Sequence, residues 1–386
     1  MEDHPYEHAS VADQARRDSL LSHRRTVGVG ALRLPTTAPT LSSADTFSLC
    51  TLLPVLLSVA AIGGPAASQV IPAVDTLDAE LLSRSPAIEQ PGFILPWGAN
   101  ILVSDWLGNP NLHVLDGETG DLVVSFGRIG AGPGEFANVI VGLQLAHDSG
   151  AVWVYDARKL TRIERPGPVG ADASLVDLTT SRLRRALWLD ATTIVGVNWR
   201  NPAERFVFLD EVGTVTRTVP GPLLGHEGIP LEERLHASAR FLLCAHPQGS
   251  RFAVLFRYAT RIEVYDNTAK HLFDTAVPYS IEGPFEHVGG DIVYSPKWIA
   301  YPSCWADDDY LYALYSGDRY SRSPGANGDG QEIHVFDWQT GRLSRTFHLD
   351  VRVFGFSVAK NAGWLYAGSL ADAGIYRFRL PLGVWK

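Results

Sequence analysis

The chain has 386 residues, a formal net charge of −9 and a pI near 5.7. That balance excludes the usual nucleic-acid-binding protein, which needs a basic face to displace counterions from phosphates. With 46% hydrophobic residues the chain can bury a large core. Its cations are mostly arginine, a residue suited to planar carboxylate or phosphate contacts, although genomic base composition accounts for the bias equally well.

Residues 1–46 are polar and carry Arg16, Arg17, Arg24, Arg25 and Arg33. A mostly apolar run from Phe47 to Ile62 follows, broken by Gly63-Gly64-Pro65 and then by Ala66-Ala67-Ser68. Small residues at those positions fit signal-peptidase cleavage before Gln69. The run is short of the ~20 residues a membrane span needs, and Pro54 interrupts it. Residues 1–68 are therefore expected to be a polar leader plus signal peptide outside the fold, with an uncleaved anchor as the alternative. The polar segment is long for a signal n-region, so either translation starts downstream or the leader is atypical. Most of the apolar run follows Cys50 instead of preceding it, so Cys50 does not fit a lipid-attachment site. Export to the periplasm or cell surface is expected for residues 69–386.

From about residue 73 onward, short apolar strands alternate with Gly, Pro, Asn and Asp turns, and no long stretch sustains a helical period. The pattern repeats, which decides the architecture. In the first unit the strands read Gly92-Phe-Ile-Leu95, Ile101–Asp105, Leu112–Asp116 and Asp121–Phe126. Second strands recur as Val152–Asp156, Thr193–Asn198, Phe252–Arg257, Leu311–Tyr315 and Trp364–Gly368. Third strands recur as Phe206–Asp210, Ile262–Asp266 and Ile333–Asp337, with less regular versions at Ile163-Glu-Arg165 and Ile375–Phe378. The terminal Asp can accept a backbone N–H two residues on and start the next turn. Six units predict an all-β, six-bladed β-propeller of four-stranded antiparallel blades. The sixth lacks a fourth strand, and Ala73–Leu82 is expected to supply it and close the ring.

Gly127–Phe136, ending Gly-Pro-Gly-Glu-Phe, resembles the linker of NHL-type six-bladed propellers. Tyr312–Gly317, Glu332–Trp338, Gly341 and Leu349-Asp350 together resemble the C-terminal half of the TolB-like six-bladed propeller family. The resemblance implies the fold and an exported setting, and little chemistry. The glycine-rich linker reads as a sharp turn capped by Glu135 and not as a phosphate loop, because neither a helix pattern nor a Lys-Ser/Thr pair follows.

Cys244 and Cys304 fall in predicted inner strands of neighbouring blades, where two separate buried thiols are expected, with a disulfide as the alternative in an oxidising compartment. His113 and His334 occupy matching third-strand positions, which argues for packing. The remaining histidines lack ligand spacing, and no Gly-x-Ser-x-Gly elbow occurs. Asp307-Asp308-Asp309 reads as a turn, Ser316–Gly330 as a mobile loop, and Asn327–Gly330 lacks calcium-loop spacing.

The ends of the second strands should share one face of the disc. The expected ligand-binding residues there are Asp105, Trp106, Asp156, Asn198, Arg200, Arg257 and Tyr315. Carboxylates, arginines and aromatics in one ring suit a glycan, a small molecule or a protein partner. The leading expectation is a non-catalytic, exported, monomeric binding scaffold without metal or cofactor. The alternative is a metal-dependent hydrolase (lactonase-like) or lyase with its site at the channel mouth, drawing ligands from Asp105, Asp156 and Asn198.

Overall fold

The computed structural model describes residues 73–381 apart from positions 131, 133, 137–138, 149, 168, 171–172, 180–182, 184, 199–200, 222, 239, 282 and 322–327. The expected leader, Arg200 and Asn327 lie outside the described residues. The chain divides at residues 67/68, and every described residue lies in the second unit, 68–386. No described helix is long and apolar enough to cross a membrane.

Six antiparallel sheets follow one another in the second unit. Blade 1 contains Pro91–Trp97, Asn100–Asp105, Leu112–Asp116 and Leu122–Phe126. Blade 2 contains Gly142–Leu145, Val152–Tyr155, Lys159–Ile163 and Leu175–Asp177. Blade 3 contains Arg185–Trp188, Ile194–Val197, Phe206–Leu209 and Val215–Val219. Blade 4 contains Phe241–Ala245, Arg251–Phe256, Ile262–Asp266 and His271–Asp274. Blade 5 contains Ser303–Ala306, Tyr310–Tyr315, Gly330–Asp337 and Leu343–Val353. Blade 6 contains Gly355–Ala359, Trp364–Gly368 and Ile375–Arg379, completed by Ala79–Ser83. Each inner strand contacts that of the next blade, and the sixth contacts the first. The protein is therefore a six-bladed β-propeller.

Six core clusters fill the six seams between blades. The two-residue period of a strand explains how one blade serves two seams. In blade 1, Leu102 packs toward blade 2, whereas Ile101 and Val103 pack toward blade 6. Each fully buried Leu or Phe contributes about 1.5–3 kcal/mol.

The strand-ending aspartates act as the turn chemistry predicts. Asp116 Oδ1 accepts the N–H groups of Glu118 and Thr119 at 2.9 and 2.8 Å, and Asp337 Oδ1 accepts those of Gln339 and Thr340 at 3.0 and 2.7 Å. Glu135 caps its loop by accepting the Gly132 N–H at 2.8 Å. His113 and His334 are both fully buried at equivalent third-strand positions. The same ladder position holds Thr161, Val207, Glu263 and Tyr376 in the other blades, so it is polar in five of six. Local partners meet part of its polar demand: Ser125 Oγ for His113 Nδ1 at 2.8 Å, the Tyr301 hydroxyl for His334 Nδ1 at 3.1 Å and the Tyr265 hydroxyl for Glu263 at 2.7 Å, while Nε2 of both histidines has no hydrogen-bond partner among the described residues.

Three expectations change. The segment 73–82 does not form one strand: Ala73–Leu77 pairs in parallel with the outer strand of blade 5, and only Ala79–Ser83 completes blade 6. The chain crosses between the blades at Asp78, where Asp350 accepts the Ala79 N–H at 2.9 Å. In blade 2 the third strand is Lys159–Ile163, not Ile163-Glu-Arg165, because the turn held by Asp156 returns the chain at once. Cys244 and Cys304 form a disulfide across the inner strands of blades 4 and 5, their Cα atoms 6.3 Å apart, a spacing that suits a bridge. Between blades 3 and 4 stands a short α-helix, Leu231–Ser238, of about two turns, consistent with the lack of a long helical period.

Candidate functional site

The ladder register pairs the first residue of each inner strand with the end of the second strand: Pro91 with Asp105, Gly142 with Tyr155, Arg185 with Val197, Ser303 with Leu314. The expected strand-end residues thus lie at the end of the ring where the inner strands begin. Their side chains do different things.

Asp105 is fully buried. Its carboxylate accepts the N–H groups of Glu89 (2.7 Å), Gln90 (2.9 Å), Leu107 (3.0 Å) and Gly108 (3.0 Å), and His113 Nε2 lies 3.6 Å away. Burial pushes its pKa up, but the neighbouring His113 imidazole and the backbone N–H groups outweigh burial and hold it down at about 2. Asp156 is also fully buried and accepts the N–H groups of Arg158 and Lys159, each at 3.0 Å. Both carboxylates therefore organise loops.

Trp106, Asn198, Arg257 and Tyr315 keep partial exposure. Trp106 donates Nε1–H to the Ile140 carbonyl at 3.3 Å and meets Phe354 and Phe93 edge-on at 4.5 and 6.4 Å. The Arg257 backbone bonds Arg240 and Ala300, which joins the two insertions flanking blade 4. Tyr315 packs against both Tyr279 (4.7 Å) and His334 (5.2 Å), which also meet each other at 5.7 Å, and burial raises its pKa. The four residues come from four different blades, and none of them is in the lining of the cavity in the central channel. Among the described residues, no group of three His, Cys, Asp or Glu side chains is placed to hold a metal ion.

A cavity of about 410 Å³ lies among the inner strands of the central channel, within the range of small-molecule sites. It runs the length of the inner strands, from Gly142, Arg185 and Ser303 at their starts to Leu145, Ala245 and Ala306 at their ends. Its walls are mainly apolar, with Leu143, Leu145, Leu187, Leu243 and Trp305. Arg185, Gln144, His147 and Ser303 supply polar groups.

The channel is eccentric. Trp305 packs both against the blade 5–6 core and against the blade 1–2 core, so its indole crosses the ring and fills that side. The inner strand of blade 6 is largely buried, while Leu145 in blade 2 stays 41% exposed. Space remains beside blades 2 to 5, and it extends into the seam where Gly142 and Ala186 stand next to Tyr155 and Trp153. Gly142 has open room: an added Cβ would lie 3.8 Å from Tyr155 Cβ.

Three ties hold the cavity wall rigid. The Gln144 amide donates to the Trp188 carbonyl at 2.6 Å and accepts the Trp188 N–H at 2.8 Å, joining blades 2 and 3. Arg185 Nη1 donates to the Val141 carbonyl at 2.6 Å. The Cys244–Cys304 disulfide joins blades 4 and 5. Of the strand-end residues, Trp106 adjoins this cavity, through Phe93 in its lining and Ile140 beside Val141.

Sequence patterning missed Gln144, Leu145, Arg185 and Trp305. Each stands in a short inner strand, where alternation gives the face but not the width of the channel. The two-sided amide of Gln144 has no local signature.

Fold and cavity together define the class: a six-bladed β-propeller with an apolar channel pocket. No family model and no curated protein matches the chain. Among solved structures, it is similar to the Swd1 β-propeller domain of Myceliophteria thermophila at 10% identity and TM-score 0.42, covering 78% of this chain and 100% of that one. It is also similar to a Bacteroides fragilis protein assigned as exported, at 12% identity and TM-score 0.44, covering 81% of this chain and 99% of that one.

Proposed function

We propose that this protein is an exported, non-catalytic binding propeller that holds a small, mainly apolar ligand in its central channel. The observation that carries the reading is the cavity of about 410 Å³ with apolar walls and few polar groups. Apolar wall left open to water is costly, and covering it favours association with an apolar molecule. Arg185 at the strand-start end favours a ligand with one acidic or acceptor group there. In this reading Trp106, Asn198, Arg257 and Tyr315 would contribute to the surrounding rim, where a protein or glycan partner would meet the face, and Arg200 is expected there from the sequence alone. The disulfide supports export, since such bonds persist in oxidising compartments.

An anilinonaphthalene sulfonate dye tests the pocket. The folded protein is expected to bind one equivalent with a Kd on the order of 10 μM. Leu145→Glu, which places a carboxylate in the cavity at an exposed position, is expected to weaken binding about tenfold with little change in Tm. Unchanged binding in that variant, or dye uptake only on unfolding, removes the reading.

A further inference from the structure

We propose that the Cys244–Cys304 disulfide is a thiol-exchange site facing the channel, at which a small-molecule thiol attacks Cys304. Both cysteines line the cavity. They differ in access: Cys244 keeps 7% exposure and belongs to the blade 4–5 core, whereas Cys304 is only partly buried. Exchange requires a thiolate to reach one sulfur, and access selects which. The reduced state also has a place prepared for it. Cys304 Sγ lies 3.7 Å from the Leu243 carbonyl oxygen, an acceptor for the S–H that reduction creates.

The chemistry balances with thiol alone as reductant. A thiolate attacks Cys304 Sγ, the S–S bond breaks, and Cys244 leaves as a thiolate that takes a proton from water. Cys304 then carries the mixed disulfide. A second thiolate attacks the small-molecule sulfur, which releases Cys304 and a small-molecule disulfide. Two electrons pass from two thiols to the protein. Reduction removes the covalent tie between the inner strands of blades 4 and 5, and with it one of the three ties in the cavity wall. Channel contents and external thiol thereby act on the same wall.

The inference rests on the cavity's access and not on its ligand. A protein that binds no apolar dye but exchanges at Cys304 keeps this proposal and loses the previous one. The test exposes the native full chain to 2-mercaptoethanol, and separately to equal thiol carried on a dextran too wide for the channel. Acid quenching and peptide mass mapping then locate the adduct. The expected result is a mixed disulfide on the Cys304 peptide, forming about tenfold faster per thiol with the small reagent. An adduct on Cys244, equal rates for the two reagents, or reduction only in denaturant overturns it. Cys244→Ser gives a second arm. Its free Cys304 is expected to react with iodoacetamide in the native state, and an inert Cys304 there counts against the proposal.

Discussion

At the residue scale, Asp105 shows how one carboxylate can hold a blade without touching a ligand. It gathers four backbone N–H groups from two loops. Asp105→Ala leaves those donors without their acceptor and is expected to cost about 3 kcal/mol in urea unfolding. The pH dependence has a definite sign. Its folded pKa, about 2, lies below the unfolded value. The contribution is therefore fully present above the unfolded value and is lost as pH falls through about 2. The stability gap between wild type and Asp105→Asn should narrow steadily between pH 5 and pH 2. A gap independent of pH would show that the carboxylate charge is not what the four donors require. The sequence made Asp105 a site residue because it is the polar residue that ends a second strand. It did not reveal that the loops on either side fold back onto the carboxylate.

At the element scale, the closing segment carries the ring. Ala79–Ser83 gives blade 6 its outer strand, and Ala73–Leu77 adds a parallel strand to blade 5. Arg377 pairs with Glu80, and Arg345 pairs with Asp75 at 2.5 Å, so charges fix both registers. Deleting residues 73–83 uncovers the third strand of blade 6 and the outer strand of blade 5, and unpaired edges invite association. Size-exclusion chromatography should show oligomers or aggregate, and the peptide 73–84 added in trans should restore a compact species. A compact, equally stable deletion protein would mean that closure lies elsewhere. The Asp-x-x-Thr-Gly turns are part of the same construction. Gly120 has φ +76°, and an added Cβ would stand 1.9 Å from the Leu82 carbonyl oxygen of the closing strand. Gly341 has φ +67°, but its Cβ would meet the Phe273 ring, a side chain that can move. Gly120→Ala is therefore expected to lower Tm more than Gly341→Ala in the same melting assay. The sequence marked both as turns of one kind, and only the neighbouring blade separates them.

At the scale of the whole molecule, the disulfide and the leader bear on one question. If the chain is exported and cleaved before Gln69, intact mass of protein from the extracytoplasmic fraction should correspond to residues 69–386, with Cys244 and Cys304 oxidised. A cytoplasmic, full-length, reduced protein would contradict both. The seams also make the ring a closed set of interfaces, in which each blade packs on two neighbours. That arrangement lets the channel stay partly empty, because the core lies between blades and not along the axis.

The sequence by itself determined the blade number, the strand order and the Asp-started turns, because those follow from local hydrophobic period and turn chemistry. It also placed Cys244 and Cys304 in neighbouring inner strands. Tertiary structure alone decided that the cysteines pair, that Asp105 and Asp156 turn inward to their loops, that the closing segment divides between two blades, and that Trp305 narrows the channel to one side. These outcomes depend on distances between residues far apart in the chain. Period and composition fix which face a side chain takes, but closure of the ring fixes what stands opposite it.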